Sequence, residues 1–277
     1  MAEYVIQRDG VDLSVSDEGD GPAIVLLHGL TATRRYVVMG STALQRDGHR
    51  VIAYDARGHG RSAPAPEPDA YGYDELGADL EAVLDGTGVE RAVLAGASMG
   101  AHTLLWMALR HPERVAGAVV ITPAYAGAAD NDAPARLAYW DALSQGLRDG
   151  GIEGFLGAQG EPKVPERWRE TVVKVITQRL SQHEHFDAVA DALHAVPRSH
   201  PFAAIEDLGA VAVPTVVVAS EDEADPEHPR AVGEAYAATI PDARLVTDEP
   251  GRSPVAWQGS QLSRIIASVV AEAARAA

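Results

Sequence analysis

The chain has 277 residues, 46% of them hydrophobic, which is enough to bury one large core and suits a single α/β domain with an insertion better than two independent domains. A formal net charge of −17 repels nucleic acid and anionic membrane surfaces, and the lack of cysteine excludes disulfides, thiolate catalysis and cysteine-ligated metal. The first ten residues, MAEYVIQRDG, hold no apolar core behind basic residues, and no apolar run reaches membrane-spanning length, so the expected setting is the cytoplasm.

Two short strand-like segments, Tyr4 to Gln7 and Asp12 to Val15, flank Asp9-Gly10, a hairpin turn signal. Ala23 to Leu27 is a continuous apolar run, the pattern of a strand buried on both faces. His28-Gly29-Leu30-Thr31 follows it, at the carboxyl edge of a parallel sheet, where open α/β folds bind ligands. His28 itself reads either as a histidine that fixes this loop by hydrogen bonds or as a substrate-binding one. A helix is expected around Arg34 to Arg46, then a strand over Arg50 to Tyr54, which closes in Asp55-Ala56-Arg57-Gly58-His59-Gly60-Arg61-Ser62. Taken alone, that octapeptide reads as a salt-bridged turn. A helix over Tyr73 to Leu84 comes next.

The apolar run Ala92 to Ala95 leads into Gly96-Ala97-Ser98-Met99-Gly100, and an apolar-rich helix follows at once. This is G-x-S-x-G in strand–turn–helix context. A serine at so sharp a turn sits in strained backbone, and side chains two positions either side would collide with the neighbouring strand and helix. The turn lifts Ser98 Oγ out of the sheet edge at a helix N-terminus that favours negative charge. One more strand, Val115 to Ile121, completes an alternation that implies right-handed crossovers and a mainly parallel sheet.

From Pro123 to about Pro201 the alternation breaks. The texture is helical over Ala135 to Leu147, Arg167 to Leu180 and His185 to Ala195, with a glycine-rich interruption from Gly150 to Gly160. Tyr125, Tyr139, Trp140, Phe155, Trp168 and Phe186 either line an apolar substrate pocket or pack on the core. His183 and His185 fall on different faces of a helix and no further ligand is evident, so neither a metal nor a cofactor is expected. A buried strand resumes at Pro214 to Ser220, followed by the acid-rich Glu221 to Pro229, and another strand is expected over Ala243 to Thr247.

His-Gly after the third strand, D-x-R-G-H-G-x-S after the fourth and G-x-S-x-G after the fifth occur together and in order, and in this the chain resembles the α/β-hydrolase fold superfamily, in particular its serine esterases and lactonases. The resemblance implies an α/β fold: a mainly parallel, twisted sheet of about eight strands flanked by helices. Residues 1–122 and 202–277 would form the core, and 123–201 a helical lid. It makes Ser98 the nucleophile and the backbone N–H groups of Met99 and Leu30 the oxyanion hole. The catalytic acid belongs just after the strand that ends at Ser220. Asp225 matches the D-P-x-x-P continuation, with Asp222 and Glu223 as alternatives. Tyr125, Trp140, His28 and His200 are assigned to a small-molecule substrate. A serine in place of the aspartate of epoxide hydrolases points toward esters, lactones, thioesters or carbon–carbon cleavage, while a homo-oligomer is left open.

One position departs from the pattern. Where the superfamily expects glycine-histidine after its last strand, this chain has Glu249-Pro250-Gly251-Arg252-Ser253-Pro254, so Arg252 stands at the general-base position. A guanidinium stays protonated and has no lone pair to accept the serine proton. The last of the ten histidines is His228, so no slip of a few residues restores the pattern. Three accounts follow: recruitment of His200, His102 or His228 as the base; a non-hydrolytic lyase or isomerase in which Arg252 binds a carboxylate or stabilises an enolate; or a ligand-binding pseudo-hydrolase in which Arg252 pairs with Asp225 or Asp222.

Overall fold

In the computed structural model, which describes residues 2–221, 223, 225–248 and 257–276, eight strands form one sheet in the order β1-β2-β4-β3-β5-β6-β7-β8. They are β1 (Ala2–Arg8), β2 (Val11–Glu18), β3 (Ala23–Leu27), β4 (Arg50–Tyr54), β5 (Ala92–Ala97), β6 (Val115–Ile121), β7 (Thr215–Ala219) and β8 (Arg244–Thr247). β1 pairs with β2 and β2 with β4 antiparallel, and every pairing from β4 to β8 is parallel. The hairpin between β1 and β2 turns at Asp9 (φ 48°) and Gly10 (φ 80°), two left-handed residues whose twist matches that of the flanking strands.

Strand residues alternate between the two faces with period two. Ile24, Leu26, Val93, Ala95, Val119, Ile121, Val216 and Val218 face a cluster that includes Leu262, Ile266 and Val269 of helix α9 (Gly259–Ala276). Val25, Leu27, Leu94, Ala118, Val120 and Val217 face the other side, against α2 (Tyr73–Gly86) and α3 (Met99–Arg110). Both faces are therefore dry, which is why these strands read as unbroken apolar runs. Each fully buried large side chain contributes about 1.5–3 kcal/mol.

The octapeptide after β4 is the salt-bridged turn it reads as. Asp55 accepts from the Arg34 and Arg61 backbone N–H groups and from the Arg34 guanidinium. Arg57 forms a bidentate pair with Asp79 of α2, both contacts 2.7 Å, and also donates to Ala70 O.

The expected helix over Arg34 to Arg46 does not form. A single 3-10 turn, Arg34–Tyr36, and the short α1 (Ala43–Arg46) are separated by Met39 (φ 48°) and Gly40 (φ 72°), which reverse the chain. Arg34 is held at the start of that turn by its bonds to Asp55 and Ser14. Tertiary charge pairing outweighs local propensity there.

The insertion contains α4 (Ala128–Asn131), α5 (Pro134–Gln159), α6 (Glu166–Leu180) and α7 (Phe186–Ala195), and α8 (Arg230–Thr239) follows β7. Helix was expected to stop at Leu147, but α5 turns at Gly150 and Gly151 (φ 57°) and resumes. The two arms stay close because Gly146 and Gly154 lack Cβ atoms, either of which would strike the other's carbonyl oxygen. Among the described residues no helix is long and apolar enough to cross a membrane.

Candidate active site

Ser98 sits at the end of β5 with φ 50° and ψ −113°, a conformation that costs a non-glycine residue about 1–3 kcal/mol and persists only when its surroundings impose it. They do. A Cβ on Gly96 would lie 2.2 Å from Gly100 O, and one on Gly100 would lie 2.2 Å from Leu27 O. The two glycines let α3 start directly against β3 and β5. The Ser98 N–H donates to Ile121 O (3.0 Å), so the turn is held from β6 as well. Ser98 Oγ forms no hydrogen bond among the described residues and faces a cleft of about 460 Å³.

Leu30 and Met99 line the same cleft, and neither backbone N–H has an acceptor among the described residues. The loop bearing Leu30 is pinned by three imidazoles. Gly29 O, Leu30 O and Thr31 O each rest on a ring nitrogen, of His28 (2.8 Å), His59 (2.6 Å) and His183 (3.2 Å) respectively. His28 Nδ1–H must be the donor to Gly29 O, because His28 Nε2 accepts from the Ala56 N–H (2.9 Å). In a trans peptide the carbonyl and the N–H point in opposite directions. Holding Gly29 O on His28 thus turns the Leu30 N–H the other way. Gly29 approaches the serine closely: a Cβ there would lie 3.5 Å from Ser98 Cβ. Burial, the largest effect, lowers the pKa values of His28 and His183 to about 3, so both act as neutral hydrogen-bonding rings.

His28 does not line the cleft; the structure places it behind the loop rather than against a substrate. His200 is also outside the lining and binds Asp132 (2.8 Å). Tyr125 and Trp140 do line it. His102 lines it too, but both of its nitrogens are committed. Nε2 accepts from the Ala124 and Tyr125 N–H groups (3.3 and 3.2 Å), leaving Nδ1–H to meet the Tyr73 hydroxyl (3.0 Å), and burial lowers its pKa to about 3. No lone pair remains for a serine proton.

His228 differs. It lines the cleft with Ser98, and its Nδ1 is 2.8 Å from Asp225 Oδ1, three residues earlier in the loop after β7. A carboxylate only accepts, so Nδ1 carries the proton and Nε2 keeps its lone pair. Burial lowers the imidazole pKa and is the largest single influence, yet the charge and hydrogen bond of Asp225, with Glu227, outweigh it and raise the pKa above 6.5. Reciprocally, burial raises the Asp225 pKa but His228 and Arg179 prevail, and it falls below 3.8. Glu223 is exposed and pairs with Arg167 at 2.9 Å. Asp222 and Arg252 lie outside the described residues.

The lining groups that were not anticipated include Tyr73, Arg136 and Arg179. Arg179 had a visible signal, since it falls three residues past Ile176 and one before Leu180, on the apolar stripe of α6 that begins at Trp168.

Among proteins of known sequence, the chain is 37% identical over 122 residues to a phage D29 protein named a non-heme haloperoxidase, a match that covers 44% of this chain and 43% of that one. A Variovorax paradoxus protein with the provisional name carbamate hydrolase RutD is 32% identical over 214 residues, 76% of this chain and 77% of its own. Among solved structures, Est816, described as an N-acyl homoserine lactone degrading enzyme, superposes with a TM-score of 0.72 at 26% identity, over 96% of this chain and 98% of that one. The family model for the alpha/beta hydrolase fold matches residues 22–259. With its strand order and its serine turn, the chain belongs to the α/β-hydrolase fold family.

Proposed function

We propose that the protein is a serine hydrolase of small esters, lactones or related carbonyl substrates, and that His228, oriented by Asp225, is the base that serves Ser98. The observation that carries this reading is that Ser98 and His228 line one cleft while Asp225 fixes the imidazole with Nε2 free. In the reaction, Ser98 Oγ attacks the carbonyl carbon as His228 Nε2 takes its proton. The Leu30 and Met99 N–H groups receive the developing oxyanion, and the imidazolium returns the proton to the leaving alkoxide. Water then repeats the sequence on the acyl-enzyme. Relatives named as hydrolases and a structural neighbour that degrades a lactone support the substrate class. Acid and base thus both come from the loop after β7, and Arg252 is assigned no step. The reading includes the reducing setting expected of the cytoplasm.

The test is intact-mass labelling with a small fluorophosphonate. The wild-type protein is expected to take one adduct, which Ser98→Ala abolishes and His228→Gln slows at least a hundredfold. Labelling of His228→Gln at the wild-type rate overturns the assignment of the base. No adduct on the wild type overturns the hydrolase reading and leaves a ligand-binding or non-hydrolytic pocket.

A further inference from the structure

The cleft contains polar groups that the hydrolytic reading does not use. Among the described residues, six buried side-chain polar atoms lack a hydrogen-bond partner, and three of these belong to residues that line this one cleft: Trp140 Nε1, Gln159 Oε1 and Arg179 Nε. Arg179 stands out because it carries charge. Its Nε is shut off from solvent, and its guanidinium has neither a hydrogen bond nor an ion pair among the described residues. Burial lowers its pKa, and the attraction of Asp225 only partly opposes this. Asp225 is already committed to His228. A desolvated cation without a hydrogen-bonded counter-ion is costly, and an anionic ligand in the cleft would offset that cost.

The surrounding charge has the same sense. Arg136 and Lys163 also line the cleft, against Glu227 as its one acid among the described lining residues, in a chain whose formal net charge is −17. The molecule as a whole repels anions; this cleft does not. Arg136 gives one of its donors to Asn131 Oδ1 (3.2 Å) and Lys163 is exposed, so Arg179 is the cation of the three with a buried donor that has no acceptor among the described residues.

We infer that the cleft binds substrates bearing a carboxylate, and that Arg179 on α6 is the residue that receives it while the ester or lactone carbonyl lies at Ser98. Only the placement of the carbonyl at Ser98 rests on the hydrolase reading. A planar guanidinium matches a carboxylate in a bidentate fork, so the substrate's anionic end sets the distance at which its carbonyl meets the serine. Binding energy from the remote carboxylate is thereby spent on orientation at the reacting centre. The substrate class is a half-ester of a dicarboxylic acid or a lactone with a carboxylate side arm.

Two measurements test this. In the first, kcat/KM is compared for mono-p-nitrophenyl glutarate and p-nitrophenyl butyrate. The wild-type protein is expected to favour the glutarate ester by about tenfold to a hundredfold, and Arg179→Gln to collapse that ratio toward one, chiefly through KM for the glutarate ester, with Arg179→Lys in between. In the second, monomethyl glutarate is titrated into Ser98→Ala by calorimetry. Saturable binding that is lost on adding Arg179→Gln is expected. Arg179→Met, which removes the uncompensated charge, should melt no lower than the wild type, and this keeps the variants interpretable. Equal kcat/KM for the two esters in wild type and Arg179→Gln overturns the carboxylate site while leaving the hydrolase intact. Binding of monomethyl glutarate by Ser98→Ala, with no turnover of either ester by the wild type, upholds the site and overturns the hydrolase. Absence of both binding and preference overturns the inference outright.

Discussion

At the scale of single residues, the proposed role of the Asp225–His228 pair couples activity and stability in opposite directions. The His228 pKa is raised in the folded chain, so its stabilising contribution is complete below about 6.5 and is lost as pH rises through the raised value. Catalysis needs the opposite form, because only neutral Nε2 accepts the serine proton. Ester turnover is expected to rise with pH along a limb whose midpoint lies above 6.5, over the same interval in which the pair's stabilisation fades. Asp225→Asn should move that limb to lower pH, since the asparagine supplies no charge to hold the proton. A pH–rate profile of the two proteins decides it, and coincident midpoints would count against the pairing. The turn glycines give a second residue-scale prediction. Gly100→Ala places a methyl 2.2 Å from Leu27 O and 2.5 Å from its carbonyl carbon, backbone atoms of a central strand that cannot step aside. A loss of about 1–3 kcal/mol or more is expected in urea unfolding, together with loss of fluorophosphonate labelling as Ser98 shifts.

Between elements, the segment joining α6 to α7 is tied to the loops that shape the proposed oxyanion site. His183 Nδ1 accepts from the Gly60 N–H (2.9 Å) in the loop after β4, and Nε2–H reaches Thr31 O (3.2 Å) in the loop after β3. Glu184 N–H also donates to Gly60 O (3.0 Å). A residue of the helical insertion thus sets the path of the chain that carries the Leu30 N–H. His183→Ala should lower kcat for ester hydrolysis about tenfold with a smaller change in KM, because the lost contact affects stabilisation of the oxyanion more than ground-state binding. His183→Asn, which keeps an acceptor and a donor on a short side chain, should recover part of that loss, whereas a role confined to packing predicts no such recovery. The elements most readily recognised were the strands with unbroken apolar runs and the helices α2, α6 and α7, whose stripes are decided locally. The missing helix over Arg34 to Arg46 and the resumed arm of α5 were not recognisable. The first depends on Asp55, twenty-one residues from Arg34, and the second on the close approach of Gly146 to Gly154.

For the whole molecule, the most buried charge among the described residues is the ion pair that fastens the loop after β4 to α2. Asp79 is fully buried, the Arg57 side chain is 3% exposed, and Arg8 adds a third contact at 3.3 Å. Asp79→Ala leaves Arg57 charged and unpaired in the interior, at a cost of about 3–5 kcal/mol, whereas replacing both partners with apolar residues of similar size should cost far less. Denaturant unfolding of the single and double variants measures the difference, and equal losses would mean that the pair itself supplies net stability. The fold around it follows from pattern: strand–helix alternation, the three motif stretches and the apolar runs sufficed to specify the sheet and to place Ser98 and its glycines, because each depends on residues within a few positions of one another. The histidine proposed as the base did not follow. From sequence alone His200, His102 and His228 were equivalent; the cleft lining leaves out His200, and the ring nitrogens already bonded separate His102 from His228. Ser98 and His228 are 130 positions apart and line one cleft because the parallel order β3-β5-β6-β7 brings the loops after β5 and β7 to one sheet edge. The same holds for Arg179. Its identity and helical phase are written in the chain, but whether a guanidinium finds a counter-charge depends on every element packed around it, and only the tertiary structure decides that.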